Sequence, residues 1–141
     1  MRSPAFLLTR VARLVERRLD DELPLSHYRI LSMLGAGPER AGQVSRLLEL
    51  SKPTVTEAVD ALVARGLAER HHDATDGRAV TIKITAEGRR LVARVDQRLN
   101  SLLDDIVNCC DDPSAVRASL DDLSVAFDRF AQRRRTEQAS R

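Results

Sequence analysis

AGQVSRLLELSKPTVTEAVDALVARGLAERHHDATDGRAVTIKITAEG, residues Ala41 to Gly88, decides how this chain is read. Its first part places Val44, Leu47 and Leu48 on one side of a short helix that starts near Arg40, and Leu50 fills the turn after it. Ser51 is suited to cap a second helix, because its hydroxyl can accept from a backbone N–H of the first turn. Pro53 is tolerated there, since early helical N–H groups have no intrahelical partner. Val55, Val59 and Leu62 form an inward stripe, and Ala58 permits close approach to the first helix. Gly66 ends the helix as a glycine beyond the cap. Leu67–Arg70 reads as a short strand, and Ala79–Ile84 alternates Val80, Ile82 and Ile84 inward with Thr81 and Lys83 outward. Between them His71–Arg78 is polar, with Gly77 for the turn, and Thr85 is placed to cap a long helix.

Two short helices, a strand, a polar tip and a second strand follow the order of a winged helix-turn-helix. The second helix of that module enters the major groove, and its hairpin reaches the flanking backbone. The expected partner is therefore double-stranded DNA. The fold class is mostly α with a small β-hairpin wing (α+β). Lys52, Thr54 and Thr56 lie on the exposed N-terminal face of the second helix, where Lys can meet phosphate or guanine and Thr a base edge or thymine methyl. Pro53 offers an apolar contact to thymine methyl, and Ser51 stands at the cap. Glu57 can accept from cytosine or pair with a nearby cation; its charge opposes phosphate, so it adds selectivity rather than affinity. Arg78, at the wing tip, suits a narrow minor groove of high negative potential, and Asp76 is positioned to orient it. Arg70 can pair with Asp76 or touch phosphate, while Arg40 and Gln43 are candidates for backbone contact. For each of these residues a solvated surface is the plainer reading.

Outside this module three segments carry apolar seams. They are Leu7, Val11, Leu14 and Val15; then Val92, Val95, Leu99, Leu102 and Ile106; then Val116, Leu120, Leu123, Phe127 and Phe130. Spacing that alternates three and four lays a stripe along one helix face for a second helix. We read residues 1–22 and 89–135 as a helical dimerisation layer, residues 23–88 as the winged module and 136–141 as a polar tail. An intramolecular bundle is the alternative use of the same seams. Within the module, Leu23-Pro24-Leu25 breaks the chain, Ser26 is expected to cap the next helix with Leu25 and Ile30 as a staple, and Gly35–Pro38 ends it.

Composition bounds the rest. At 141 residues the chain is one domain or a domain with helical extensions, and with 3% aromatic residues Leu, Val, Ile and Ala must do most of the packing. Net charge is +2, from 23 basic and 21 acidic residues, so affinity for nucleic acid must come from charge placement rather than excess. No apolar run approaches the roughly 18–20 residues of a membrane span, and the Arg-interrupted N-terminus is no signal peptide; a cytoplasmic location is expected, with no membrane partner. His71 and His72 are not spaced with His27 or a cysteine as a ligand set, so no metal and no cofactor is expected. The only cysteines, Cys109 and Cys110, are adjacent. Such a pair can bind soft metalloids or oxidise across chains; plain packing or surface is the other use. No nucleophile–base set, Gly-rich phosphate loop or apolar carboxylate pair supports an enzyme.

SKPTVTEAVDALVARGLAER resembles the recognition helix and first wing strand of the MarR family of bacterial transcriptional regulators. DATDGRAVTIKITAEG resembles its wing, an Asp-x-Arg followed by a strand and a Leu-Thr-x-x-Gly-like ending, here Ile84-Thr85-Ala86-Glu87-Gly88. The resemblance covers essentially the whole chain, though the N-terminus is short. It implies a homodimer that binds a pseudo-palindromic operator, usually represses, and often releases DNA when a small molecule or oxidant arrives. Peroxide-sensing relatives carry a reactive cysteine near the N-terminal helix, and this chain has none there. Leu14, His27, Tyr28 and Met33 are candidates for lining a small-molecule effector pocket. The contrary readings are a winged helix that binds protein rather than DNA, and a ligand-independent or activating regulator.

Overall fold

The computed structural model describes residues 3–19, 22–72 and 80–139. Six helices and three strands follow in the order α1 (Pro4–Leu19), α2 (Leu25–Ala36), β1 (Glu39–Arg40), α3 (Ala41–Leu48), α4 (Lys52–Ala64), β2 (Ala68–His72), β3 (Val80–Ile84), α5 (Ala86–Val107) and α6 (Pro113–Ala139). They divide into two compact units, Met1–Leu99 and Asn100–Arg141.

The first unit holds the core. Ile30, Leu31 and Leu34 of α2, Val44 of α3, and Val55, Val59 and Leu62 of α4 are buried with Ile82, Leu91 and Val95. These are the stripes that period 3.6 in the helices and period 2 in the strand place on one side. Ala58, also buried, keeps α4 small where it meets the core. The sheet is antiparallel in the order β1–β3–β2, with Arg70 opposite Ile82 and Glu69 opposite Lys83. The first wing strand lies one to two residues later than the sequence suggests, because Leu67 is drawn into the core and its backbone oxygen accepts from Thr85 N at 3.1 Å.

Local chemistry explains the boundaries. Ser51 caps α4 as expected, its Oγ accepting from Thr54 N at 3.2 Å. Gly66, at φ +70°, takes the left-handed conformation after α4. Thr85 Oγ1 accepts from Gly88 N at 3.1 Å and donates to Gly66 O at 2.7 Å, so one hydroxyl caps α5 and fastens it to the end of α4. The Ser26 cap does not form. α2 starts two residues earlier than a Ser26 cap implies, with Pro24 at the cap position in an extended conformation and no side-chain bond. Proline has no N–H to satisfy and its ring fixes φ, so it enters a helix at no hydrogen-bonding cost; Leu25 thereby falls inside the helix, ahead of any staple position. β1 was not foreseen. It pairs Glu39 with Ile82 and Arg40 with Thr81, and two residues are too few to show an alternation.

In the second unit Asp112 Oδ1 accepts from Ala115 N at 3.0 Å at the start of α6. Arg117 pairs with Asp104 and donates to Asn108 Oδ1 at 3.3 Å, joining α6 to the last turns of α5. Among the described residues no helix is long and apolar enough to cross a membrane.

Candidate nucleic-acid interface

The exposed face of α4 begins at its cap. Lys52, Pro53, Thr54, Thr56, Glu57 and Asp60 are all exposed, while Val55, Ala58 and Val59 between them are buried. The helix is therefore held from behind by its apolar stripe and presents a short polar edge. The two threonines on that edge are not free rotors. Thr54 Oγ1 lies 2.6 Å from Ser51 Oγ, and Thr56 Oγ1 donates to the Lys52 carbonyl at 3.0 Å. With its proton directed into the helix, Thr56 offers the surroundings a methyl group and an acceptor lone pair, a combination suited to a thymine methyl or a base amino group.

The α3–α4 turn sets the angle of this helix. Glu49 occupies the left-handed region at φ 53°, a conformation rare for a residue with a Cβ. Two side chains hold the turn: Arg29 Nη2 donates to Leu48 O at 3.0 Å, and Ser45 Oγ donates to Leu50 O at 2.7 Å. Sequence reading missed both, since nothing in Leu48-Glu49-Leu50 marks a left-handed residue. Arg40 is exposed at the end of β1 and the entry to α3; Gln43 Oε1 accepts from Arg46 Nη2 at 2.9 Å, one turn along α3.

On the wing, Arg70 Nη2 lies 2.5 Å from Asp60 Oδ1. Its partner is thus on α4. Asp76 and Arg78, the tip residues singled out from sequence, lie outside the described residues. His71 Nε2 is 2.6 Å from Glu69 Oε1. Among the described residues no three His, Cys, Asp or Glu side chains gather as a metal site.

The residues put forward for an effector pocket sit on α1 and α2 as follows. Leu14 is half-buried. Met33 and Tyr28 pack partly buried against the core. Tyr28 Oη donates to Asp96 Oδ1 at 2.5 Å. Burial first, and then the bond to Asp96, push its phenol up to about 12. His27 carries a buried Nδ1 with no hydrogen-bond partner. Burial, with the Arg65 guanidinium adding to it, holds its imidazole below the ordinary value, and Glu57 opposes them.

A neighbouring cluster escaped sequence reading. Glu22 lies 2.5 Å from Arg98 and 3.6 Å from Arg94, while its backbone oxygen accepts from Arg65 Nη2 at 3.0 Å. The spacing of Arg94 and Arg98 on α5, four apart, was the only available signal; Glu22 lies 76 residues before Arg98 in the chain.

Known proteins share this arrangement. The MarR family model matches residues 21–79, from the α1–α2 connection through α4 and β2 into the wing. The fold is that of MarR-family winged helix-turn-helix proteins, and residues 21–79 are similar to that family. The HTH-type transcriptional regulator YpoP of Bacillus subtilis is 30% identical over 81 residues, a match that spans 57% of this chain and 57% of that relative's own length. A MarR mutant from E. coli has the same fold at 21% identity, with a TM-score of 0.71 over 89% of this chain and 98% of that one. A MepR mutant of S. aureus, solved bound to an oligodeoxyribonucleotide, matches at 18% identity, with a TM-score of 0.65 over 90% of this chain and 99% of that one. At such identities the two structures speak for the fold.

Proposed function

We propose that this protein is a MarR-family regulator of transcription that binds DNA sequence-specifically as a homodimer, represses from a pseudo-palindromic operator and is released by a small-molecule effector. The observation that carries the reading is the polar edge of α4. Lys52, Pro53, Thr54 and Thr56 are exposed at the N-terminal end of the helix that enters the major groove in this docking geometry. That a MepR mutant of the same fold was solved bound to an oligodeoxyribonucleotide supports a DNA partner.

Charge fits selection better than raw affinity. Glu57 and Asp60 stand on the same edge as Lys52, so contacts to phosphate must be gained at chosen points. Dimerisation has support in both units. Leu7 and Val11 are exposed in the first, and Leu123 and Phe127 are 60% and 66% exposed in the second. Large apolar side chains left in water at helical spacing are what a second copy would cover. Leu14, Leu102 and Val116 are half-buried, Ile106, Leu120 and Phe130 are exposed, and Leu99 already packs partly on the core, so it would contribute least. Effector control would act through differential binding to two dimer conformations, with His27 and Tyr28 as the polar groups available to a ligand.

Selection of bound duplexes from a random pool, with affinities taken at two salt concentrations, tests the reading. A two-fold-related site with half-sites about one helical turn, roughly 10 bp, apart is expected. No enriched sequence, with weak salt-dependent binding only, would overturn it and favour a protein partner for the winged helix.

A further inference from the structure

Cys109 and Cys110 are consecutive, and both are free and exposed. α5 ends at Val107 and α6 starts at Pro113, so the pair stands in the connecting turn. The backbone there turns with bonds three residues long, Cys109 N donating to Ile106 O at 3.1 Å and Cys110 N to Val107 O at 2.9 Å, so both thiols stand past the regular end of α5. The thiols make weak contacts alone: Cys109 Sγ lies 3.3 Å from Asp105 O, and Cys110 Sγ 4.0 Å from Ile106 O. Arg117, bonded to Asp104 and Asn108, holds α6 to α5 without using either sulfur.

We propose that Cys109 and Cys110 form a two-sulfur binding site for monosubstituted trivalent arsenicals, independent of any DNA binding. Thiolates select soft acceptors over hard cations. Structural zinc asks for four ligands, and among the described residues no third ligating side chain joins the pair. A monosubstituted arsenical asks for two sulfurs, its remaining valence being held by carbon. The chemistry balances without an oxidant. The oxygen of R–As=O takes both thiol protons and leaves as water, two As–S bonds form, and arsenic stays trivalent. Neighbouring Cα atoms are about 3.8 Å apart, and both side chains are exposed with only weak contacts to release, so rotation about their χ1 angles is what brings both sulfurs to one arsenic.

The test uses the reduced full-length chain and phenylarsine oxide. Intact mass should show one arsenical per chain, and the free-thiol titre should fall from two to none. Millimolar glutathione should not strip it, whereas dimercaptopropanol should. Cys109→Ser and Cys110→Ser, each altering an exposed side chain, should each weaken glutathione-resistant binding by about 100-fold, the loss expected when a second attachment point is removed. Wild-type retention in either variant would overturn the site. So would two arsenicals per chain, one arsenical shared between two chains, or removal from the wild type by glutathione.

Discussion

Arg70 on the first wing strand and Asp60 on the exposed edge of α4 are joined by an ion pair of 2.5 Å. The pair fixes the wing strand against the proposed DNA-reading helix and at the same time withholds a guanidinium from any phosphate nearby. Both side chains are substantially exposed, so its contribution to stability is about 0–1 kcal/mol. Its effect on binding should be larger and of opposite sign. Asp60→Asn removes a charge that opposes phosphate and frees Arg70, so duplex affinity should rise and the slope of log affinity against log salt should steepen by about 0.9 for one added phosphate contact. Fluorescence titration across a salt series reads both. A weaker and shallower dependence would mean that the pair is needed to hold the wing.

Gly88 is where α5 lies against the backbone of Leu67, between α4 and β2. A Cβ there would collide with the backbone oxygen of Leu67 and stand 2.8 Å from Ile84 Cγ1. The oxygen cannot yield without breaking its bond to Thr85 N. Gly88→Ala should therefore destabilise the chain by about 1–3 kcal/mol, despite alanine's better helix propensity. Urea unfolding followed by circular dichroism reads it, and an unchanged midpoint would contradict the packing described for this helix.

His27 makes stability depend on pH. Its imidazole is held below the ordinary value of 6.5 in the folded chain, first by burial and then by Arg65, with Glu57 opposing. As pH falls through 6.5 the unfolded chain takes up a proton before the folded chain does. Stability is then lost on acidification, and regained as pH rises back through that window. Glu22, Arg94 and Arg98 lie in the cluster beyond Arg65. The His27→Gln variant should flatten the slope of unfolding free energy against pH just below 6.5. An equal slope in both chains would remove His27 as its origin.

How much of this was legible in the sequence depends on how local each feature is. The Ser51 cap, the left-handed Gly66 and the Thr85 cap rest on neighbours within a few residues, so their chemistry shows in the chain itself. Ser26 misled for a local reason too, because Pro24 serves as a helix entrance without a side-chain bond. The pairs Arg70–Asp60 and Glu22–Arg98 were not legible. Each depends on how a strand or loop meets a helix that the sequence places 10 or 76 residues away. β1 was hidden because two residues carry no period. Of the proposed DNA contacts, the edge of α4 could be read from the apolar stripe behind it, whereas the internal bonds of Thr54 and Thr56 needed coordinates.

The central claim is that the exposed edge of α4, with the wing, engages duplex DNA. Titration of a selected duplex with wild type and with the double variant Lys52→Ala, Arg78→Ala tests it most directly. The account predicts weaker binding and a salt slope shallower by about 1.8, the loss of two phosphate contacts at 0.9 each. Unchanged affinity and unchanged slope would contradict it.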